Sequence, residues 1–203
     1  AEEIWNYCND KLQNNPDFSA RGLVAHSNVT ALATTDDPLD TLEWHEALAA
    51  DDSFKTKVYP AWRPDKAIVI ANDIFPEYIS KLSAVAGVAI SSFKDVCSAL
   101  AVRMDHFDKH GCRASDHGIN GVTYAPATTE ELDAILAKRL AGNSLSQKEI
   151  DQYEYNILVF LGGEYHKRNW VFEIHIGAGR NANDRMFAEL GPDTGYDYIH
   201  PHS

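Results

Sequence analysis

The sequence predicts an α/β fold with about four parallel strands, and three observations carry that prediction. Stretches 28–34, 54–62 and 170–176 are rich in β-branched and aromatic residues and read as strands, and the shorter 112–115 reads as a fourth. Segments with helical apolar spacing separate each strand from the next, the alternation that a parallel sheet with crossover helices requires. Each strand also runs into a polar cluster: T-T-D-D, R-P-D-K, D-H-G, and finally H-I-G-A-G-R-N. In parallel α/β architectures ligand sites sit at the carboxyl ends of strands. A complete (β/α)₈ barrel takes roughly 250 residues. A chain of 203 residues that spends so many on helices holds either an open α/β sheet or part of a barrel.

In chain order, Ile4, Trp5, Cys8 and Leu12 mark a first helix over 2–13, stopped by Asn14, Asn15 and Pro16. Ser19 is placed to cap a short helix over 20–26. Strand 28–34 delivers Thr34, Thr35, Asp36 and Asp37 to its end, and Pro38 opens a helix over 39–50. Carboxylates satisfy the free N–H groups of a helix start, so one of Asp36 and Asp37 is expected to cap. Strand 54–62 ends in Arg63, Pro64, Asp65 and Lys66, with Pro64 keeping the residues before it extended. Residues 76–110 read as an inserted helical section, divided by Gly87. Tyr78, Ile79, Leu82 and Val85 line its first helix; Phe93, Val96, Cys97, Leu100, Met104 and Phe107 line its second. After strand 112–115, Thr128 and Thr129 before Glu130 signal another helix start, with Leu132, Ile135, Leu136 and Leu140 on one face. Ser146 begins the last long helix, which turns Ile150, Tyr153, Ile157, Leu158 and Leu161 inward. Strand 170–176 follows and reads as buried. The whole, 1–203, reads as one α/β segment.

The composition, 44% hydrophobic and 24% charged, is ordinary for a soluble core. A formal net charge of −12 argues against nucleic acid and anionic membranes as partners, and an anionic ligand would need a local basic pocket. No apolar run approaches the roughly 20 residues of a membrane span, and no signal peptide is visible, so a cytoplasmic location is expected. Cys8, Cys97 and Cys112 are an odd number without a pairing motif and read as reduced thiols.

Several clusters carry chemistry. Arg63, at a strand end, presents a planar fork suited to a carboxylate, or else makes a surface pair with Asp65. Asp116 and His117, followed by Gly118, have the makings of an acid–base or ligand-orienting pair. His175 closes the last strand, and Arg180, Asn181, Asn183, Asp184 and Arg185 crowd the loop beyond it. A core would reject so many charges and amides. That loop either folds over a site or is a glycine-rich turn capping a helix. His106 and His110 lie one turn apart but among Asp105, Asp108 and Lys109, which reads as a solvated face.

Four stretches in this order resemble the uronate isomerases (glucuronate and galacturonate isomerases), an outlying branch of the amidohydrolase superfamily. They are T-T-D-D-P-L-D at 34–40, P-A-W-R-P-D-K at 60–66, H-G-C-R-A-S-D-H-G at 110–118, and the segment 175–197 that opens H-I-G-A-G-R-N. The resemblance implies a (β/α)₈ TIM-type barrel with a helical insertion, of which this chain looks like a middle section, a partial barrel covering less than half. It implies aldose–ketose isomerisation of D-glucuronate to D-fructuronate and D-galacturonate to D-tagaturonate, through a cis-enediol, in hexuronate catabolism. It also implies a divalent metal, zinc, held by a His-x-His pair after the first strand and an Asp after the last. Neither segment is among these residues, so no metal ligand is assigned and none is expected to be bound by this chain. His200-Pro201-His202 has that spelling, but it lies downstream of the last motif and reads as a tail. Residue by residue, the resemblance makes Asp116, His117 and His175 catalytic and Arg63, Arg180 and Asn181 substrate-binding. It adds Asp36, Asp37 and Asp65.

Two other classes compete with an isomerase segment. One is a metal hydrolase of the amidohydrolase type, against which the lack of an early His-x-His and of a bridging lysine counts. The other is a non-catalytic module that binds a sugar acid or pairs with another chain. The isolated residues are expected to lack turnover and, with open sheet edges and unpartnered apolar faces, to form homo-oligomers.

Overall fold

The computed structural model describes residues 1–119 and 121–199. His200 and His202 therefore lie outside the described residues. The fold is α/β, and its main sheet has four strands: β1 (Ala31–Asp36), β2 (Lys57–Trp62), β3 (Ala114–Gly118) and β4 (Val171–His175). They lie in the order β1-β2-β3-β4, all parallel. Helices α1 (Glu2–Asn14) and α2 (Ala20–His26) precede the sheet, and α3 (Glu43–Ala49) connects β1 to β2. Between β2 and β3 come α4 (Asp65–Ile68), α5 (Phe75–Ala86) and α6 (Phe93–Lys109); α7 (Thr129–Leu140) and α8 (Gln147–Arg168) lie between β3 and β4. Beyond β4, two-residue strands β5 (Ala178–Gly179) and β6 (Tyr198–Ile199) pair antiparallel around α9 (Asp184–Leu190), a small second sheet that the sequence reading does not contain.

The helix starts follow from their caps. Ser19 accepts from Gly22 N at α2. Ser92, Thr128 and Ser146 each close a capping box with the acid three residues on, at α6, α7 and α8. Gly87, at φ 66°, ends α5 in the left-handed region, where a Cβ would be strained. The expected helix over 39–50 begins only at Glu43. Asp37 Oδ1 accepts from Leu39 N, Asp40 Oδ1 accepts from Leu42 N, and Leu42 itself is left-handed at φ 61°. Those aspartate turns compete with the helix and win.

The core lies between one face of the sheet and helices α4 to α8. Trp62, Phe75, Leu100, Phe107, Tyr153 and Tyr165 are almost wholly buried in it. Trp62 meets Phe107 edge to face at 4.9 Å, and Tyr165 stacks on Trp170 at 6.0 Å. Trp62 pairs with Ser115 across β2 and β3, so the helix-facing side of both strands is fixed by these two residues. Every side chain one position on must face the other way.

One further expectation needs correcting. The fourth strand is not buried: Val171, Phe172 and Ile174 are 65%, 39% and 41% exposed. It is an edge, with no further main-sheet strand beside it among the described residues. The amphipathic helix α1 buries no residue at all, and Ile4 and Trp5 stand in the open. Cys97 and Cys112 are buried free thiols and Cys8 an exposed one; burial pushes Cys112 up to about 11. No helix among the described residues is long and apolar enough to cross a membrane.

Candidate active site at the carboxyl ends of the strands

The alternation of β3 and β4 builds the site. Asp116 faces away from the helices because Ser115 faces them, and it pairs in register with Glu173. His175, two residues further along β4, shares that face and lies opposite Gly118. Arg63 follows the buried Trp62 and turns to the same side; its N–H donates to Asp36 O at 2.9 Å, which carries the β1–β2 pairing one residue beyond the strand. These placements bring three functional groups together. The Arg63 guanidinium forms an ion pair with Asp116 Oδ2, and His175 Nδ1 lies 2.8 Å from Asp116 Oδ1. Thr35 Oγ1 donates to Asp116 Oδ2 at 3.4 Å. The His175 contact lacks the alignment of a hydrogen bond, so proximity defines it rather than a directed N–H. Asp116 is 14% exposed, while Arg63 and His175 are 36% and 40% exposed. The carboxylate is thus sheltered and its two partners reach toward solvent, as groups meeting a ligand would.

His117 does not join them. It is fully buried on the helix-facing side, with Nε2 3.0 Å from the Tyr165 hydroxyl and its ring against Phe172. Burial holds the Tyr165 phenol well above its usual value, so it keeps its proton and can donate it to Nε2. The other ring nitrogen, Nδ1, faces Asp65 Oδ1 at 3.5 Å. The other oxygen, Asp65 Oδ2, accepts from Gly118 N at 3.0 Å and ties the loop after β2 to the end of β3. Asp36 also lies on the helix side: its Oδ2 accepts from Thr34 Oγ1 at 2.6 Å, and that hydroxyl meets His45 Nε2 at 2.8 Å. Neither Asp36 nor Asp37 caps α3, whose N-cap is Leu42; Asp37 makes a local turn with Leu39 N instead and binds Tyr78 and Lys66 besides. Arg180 and Asn181 sit on the loop beyond β4, where Asp197 takes the Arg180 guanidinium at 2.5 Å and the Asn181 N–H at 3.0 Å.

Glu173 was missed by sequence reasoning. Flanked by Phe172 and Ile174, it looks like an interruption of an apolar run, yet its spacing of two from His175 puts both on one face. Asp116, Glu173 and His175 each offer one ligand atom, all within 4.8 Å of one another, a set chemically suited to a divalent cation. The sequence reading assigned no metal ligand and did not contain this group. The arrangement nevertheless opposes a cation at that point: Arg63 already places a full positive charge on the same carboxylate. His106 and His110 bind the Thr41 carbonyl and Glu46, a local clasp between α6 and α3, distant in role from the site.

A parallel sheet that gathers carboxylate, imidazole and guanidinium at the carboxyl ends of its strands has the form of a candidate site of the α/β barrel type. The whole chain, residues 1–203, matches the glucuronate isomerase family, and the chain belongs to that family. Uronate isomerases of Salmonella paratyphi A and Salmonella newport are each 54% identical to it over 200 residues, which is 98% of this chain and 42% of theirs. The crystal structure of a Thermotoga maritima uronate isomerase superposes with a TM-score of 0.88 at 35% identity, covering 98% of this chain and 44% of that one. That of a glucuronate isomerase from Caulobacter crescentus gives 0.80 at 25% identity, covering 91% and 38%. The chain thus spans less than half the length of the relatives it matches, and its sheet is a partial barrel.

Proposed function

We propose that these residues form the substrate-facing wall of an enzyme that interconverts aldose and ketose uronates, D-glucuronate with D-fructuronate and D-galacturonate with D-tagaturonate. The observation that carries the reading is the contact of Arg63 and His175 with one sheltered carboxylate, Asp116. Isomerisation moves a proton between two adjacent carbons and needs a group that takes it and returns it. Asp116 and His175, side by side at the strand ends, are suited to that exchange. The substrate carboxylate needs a cation; Arg63 and, from the loop, Arg180 supply planar forks for it, with Asn181 beside them. His117 and Asp65 act from behind the strand as positioning residues, and Asp36 and Asp37 hold the end of β1. The helical section 76–110 is the insertion that the family resemblance implies. The divalent ion implied by the same resemblance, zinc, would be held by segments outside these residues and would polarise the sugar carbonyl. A cytoplasmic enzyme of sugar-acid catabolism, assembled as a homo-oligomer and without nucleic-acid or membrane partners, is the setting this reading takes.

The test is an enzyme of the relatives' full length that contains these 203 residues, offered both uronates with added zinc. Ketose formation that requires Arg63 and Asp116 supports the reading. Turnover indifferent to both removes it, and hydrolysis of an amide substrate instead would favour the metal-hydrolase alternative.

A further inference from the structure

We propose that Gly118 is a positioning residue for His175: its bare backbone is the seat on which the imidazole lies, and Asp65 fixes that seat. The inference rests on the functional reading of His175 above. Gly118 pairs with His175 across β3 and β4, and a Cβ built at Gly118 would stand 2.7 Å from His175 Nε2 and 3.3 Å from Cε1. Real side chains do not approach so closely, so any residue with a Cβ must drive the ring away. The ring is the far end of a flexible side chain, 40% exposed, and it can swing without disturbing the strand. Its Nδ1 would then leave Asp116 Oδ1, now 2.8 Å away. Glycine is needed here for space, since its φ lies outside the left-handed range. The seat is held from the side: Asp65 Oδ2 accepts the Gly118 N–H at 3.0 Å, and the same Cβ would lie 3.5 Å from that oxygen.

Gly118→Ala in the full-length enzyme is expected to lower kcat about 100-fold, the effect of misplacing a reacting group by about 1 Å, with KM changed less than about threefold. In a His175→Ala background the same substitution should cost nothing further, because the ring it displaces is gone. Asp65→Ala should lower kcat at least about tenfold more than Asp65→Asn, whose amide oxygen still accepts the Gly118 N–H. A kcat within twofold of wild type for Gly118→Ala, or an equal loss in the His175→Ala background, would overturn the proposal. If the wild-type enzyme turns over neither uronate, the functional reading fails by itself. The seat is then judged in the 203-residue chain by the imidazole NMR resonances of His175. They must move on Gly118→Ala while the far-ultraviolet circular dichroism stays the same; unmoved resonances overturn the seat independently.

Discussion

Asp116→Asn is the most informative single change, because it preserves shape and removes only the charge. The carboxylate holds Arg63 on one oxygen and His175 on the other, with Thr35 as a third partner. A hydrogen bond to a charged group, such as Arg63 makes here, contributes roughly 1.5–3 kcal/mol, and the undirected His175 contact contributes less. Arg63 and His175 are both more than a third exposed, so water recovers much of what they lose. The net cost to stability should be about 1–2 kcal/mol, which lowers Tm by roughly 2–8 °C for a chain of this size. Catalysis should suffer far more: a positioned acid–base group contributes about 10²–10⁴-fold. Steady-state isomerisation by the full-length enzyme, read beside a thermal melt of the 203-residue chain, separates the two effects. Activity within threefold of wild type, at any change in Tm, would refute the assignment of Asp116 to proton exchange. A loss of Tm beyond about 15 °C would refute the argument that its partners are partly solvated, since a buried charge left alone costs about 3–5 kcal/mol.

Other expectations follow from the scaffold. Arg103, 7% exposed, donates to the Pro38 and Asp40 carbonyls at 2.7 Å each and holds the loop after β1; Arg103→Met should cost about 2–4 kcal/mol in urea unfolding, and less than about 1 would contradict the account. Burial and the nearby Asp151 push Glu154 from 4.5 up to about 7. A carboxyl raised in the folded state stabilises fully below the unfolded value and loses that contribution as pH rises through the folded one. Glu154→Gln should therefore gain about 1 kcal/mol at pH 8, after allowance for solvent screening, and little at pH 5; equal gains at both would exclude this cause. The isolated 203 residues, with Ile4, Trp5 and Val171 each more than 60% exposed, should run as a dimer or larger in light scattering and show no uronate turnover; an active monomer would contradict both.

Much of the fold was legible because strand and helix periods differ and because serine, threonine and glycine mark helix ends. The four parallel strands were placed in order, each within a few residues. The third was set too early: Gly111 at φ 86° turns the chain, and pairing begins only at Ala114, so Asp116 and His117 lie inside the strand rather than after it. That shift hid the decisive point. Within a strand, neighbours face opposite ways, so Asp116 and His117 cannot both face a substrate, and only a buried anchor such as Ser115 says which one does. The apolar character of the fourth strand states what its side chains are suited to bury, not what this chain supplies to cover them. Arg63, Asp116 and His175 were visible as polar groups near strand ends. Their mutual contact was not, since it depends on the single register pair of Trp62 with Ser115. Gly118 and Asp65 form their bond across a sequence distance of 53 residues, which no local pattern encodes.

The central claim is that His175, seated beside Asp116, takes part in moving the proton between the two carbons of a uronate. The most direct measurement is the kcat of His175→Ala for D-glucuronate in the full-length enzyme, with solvent deuterium in the ketose product followed by NMR. The account predicts at least a 100-fold loss of kcat, the lower end of what a proton-transferring group contributes, and loss of product labelling at the same rate. A His175→Ala enzyme that isomerises within threefold of wild type, with unchanged deuterium incorporation, would contradict it.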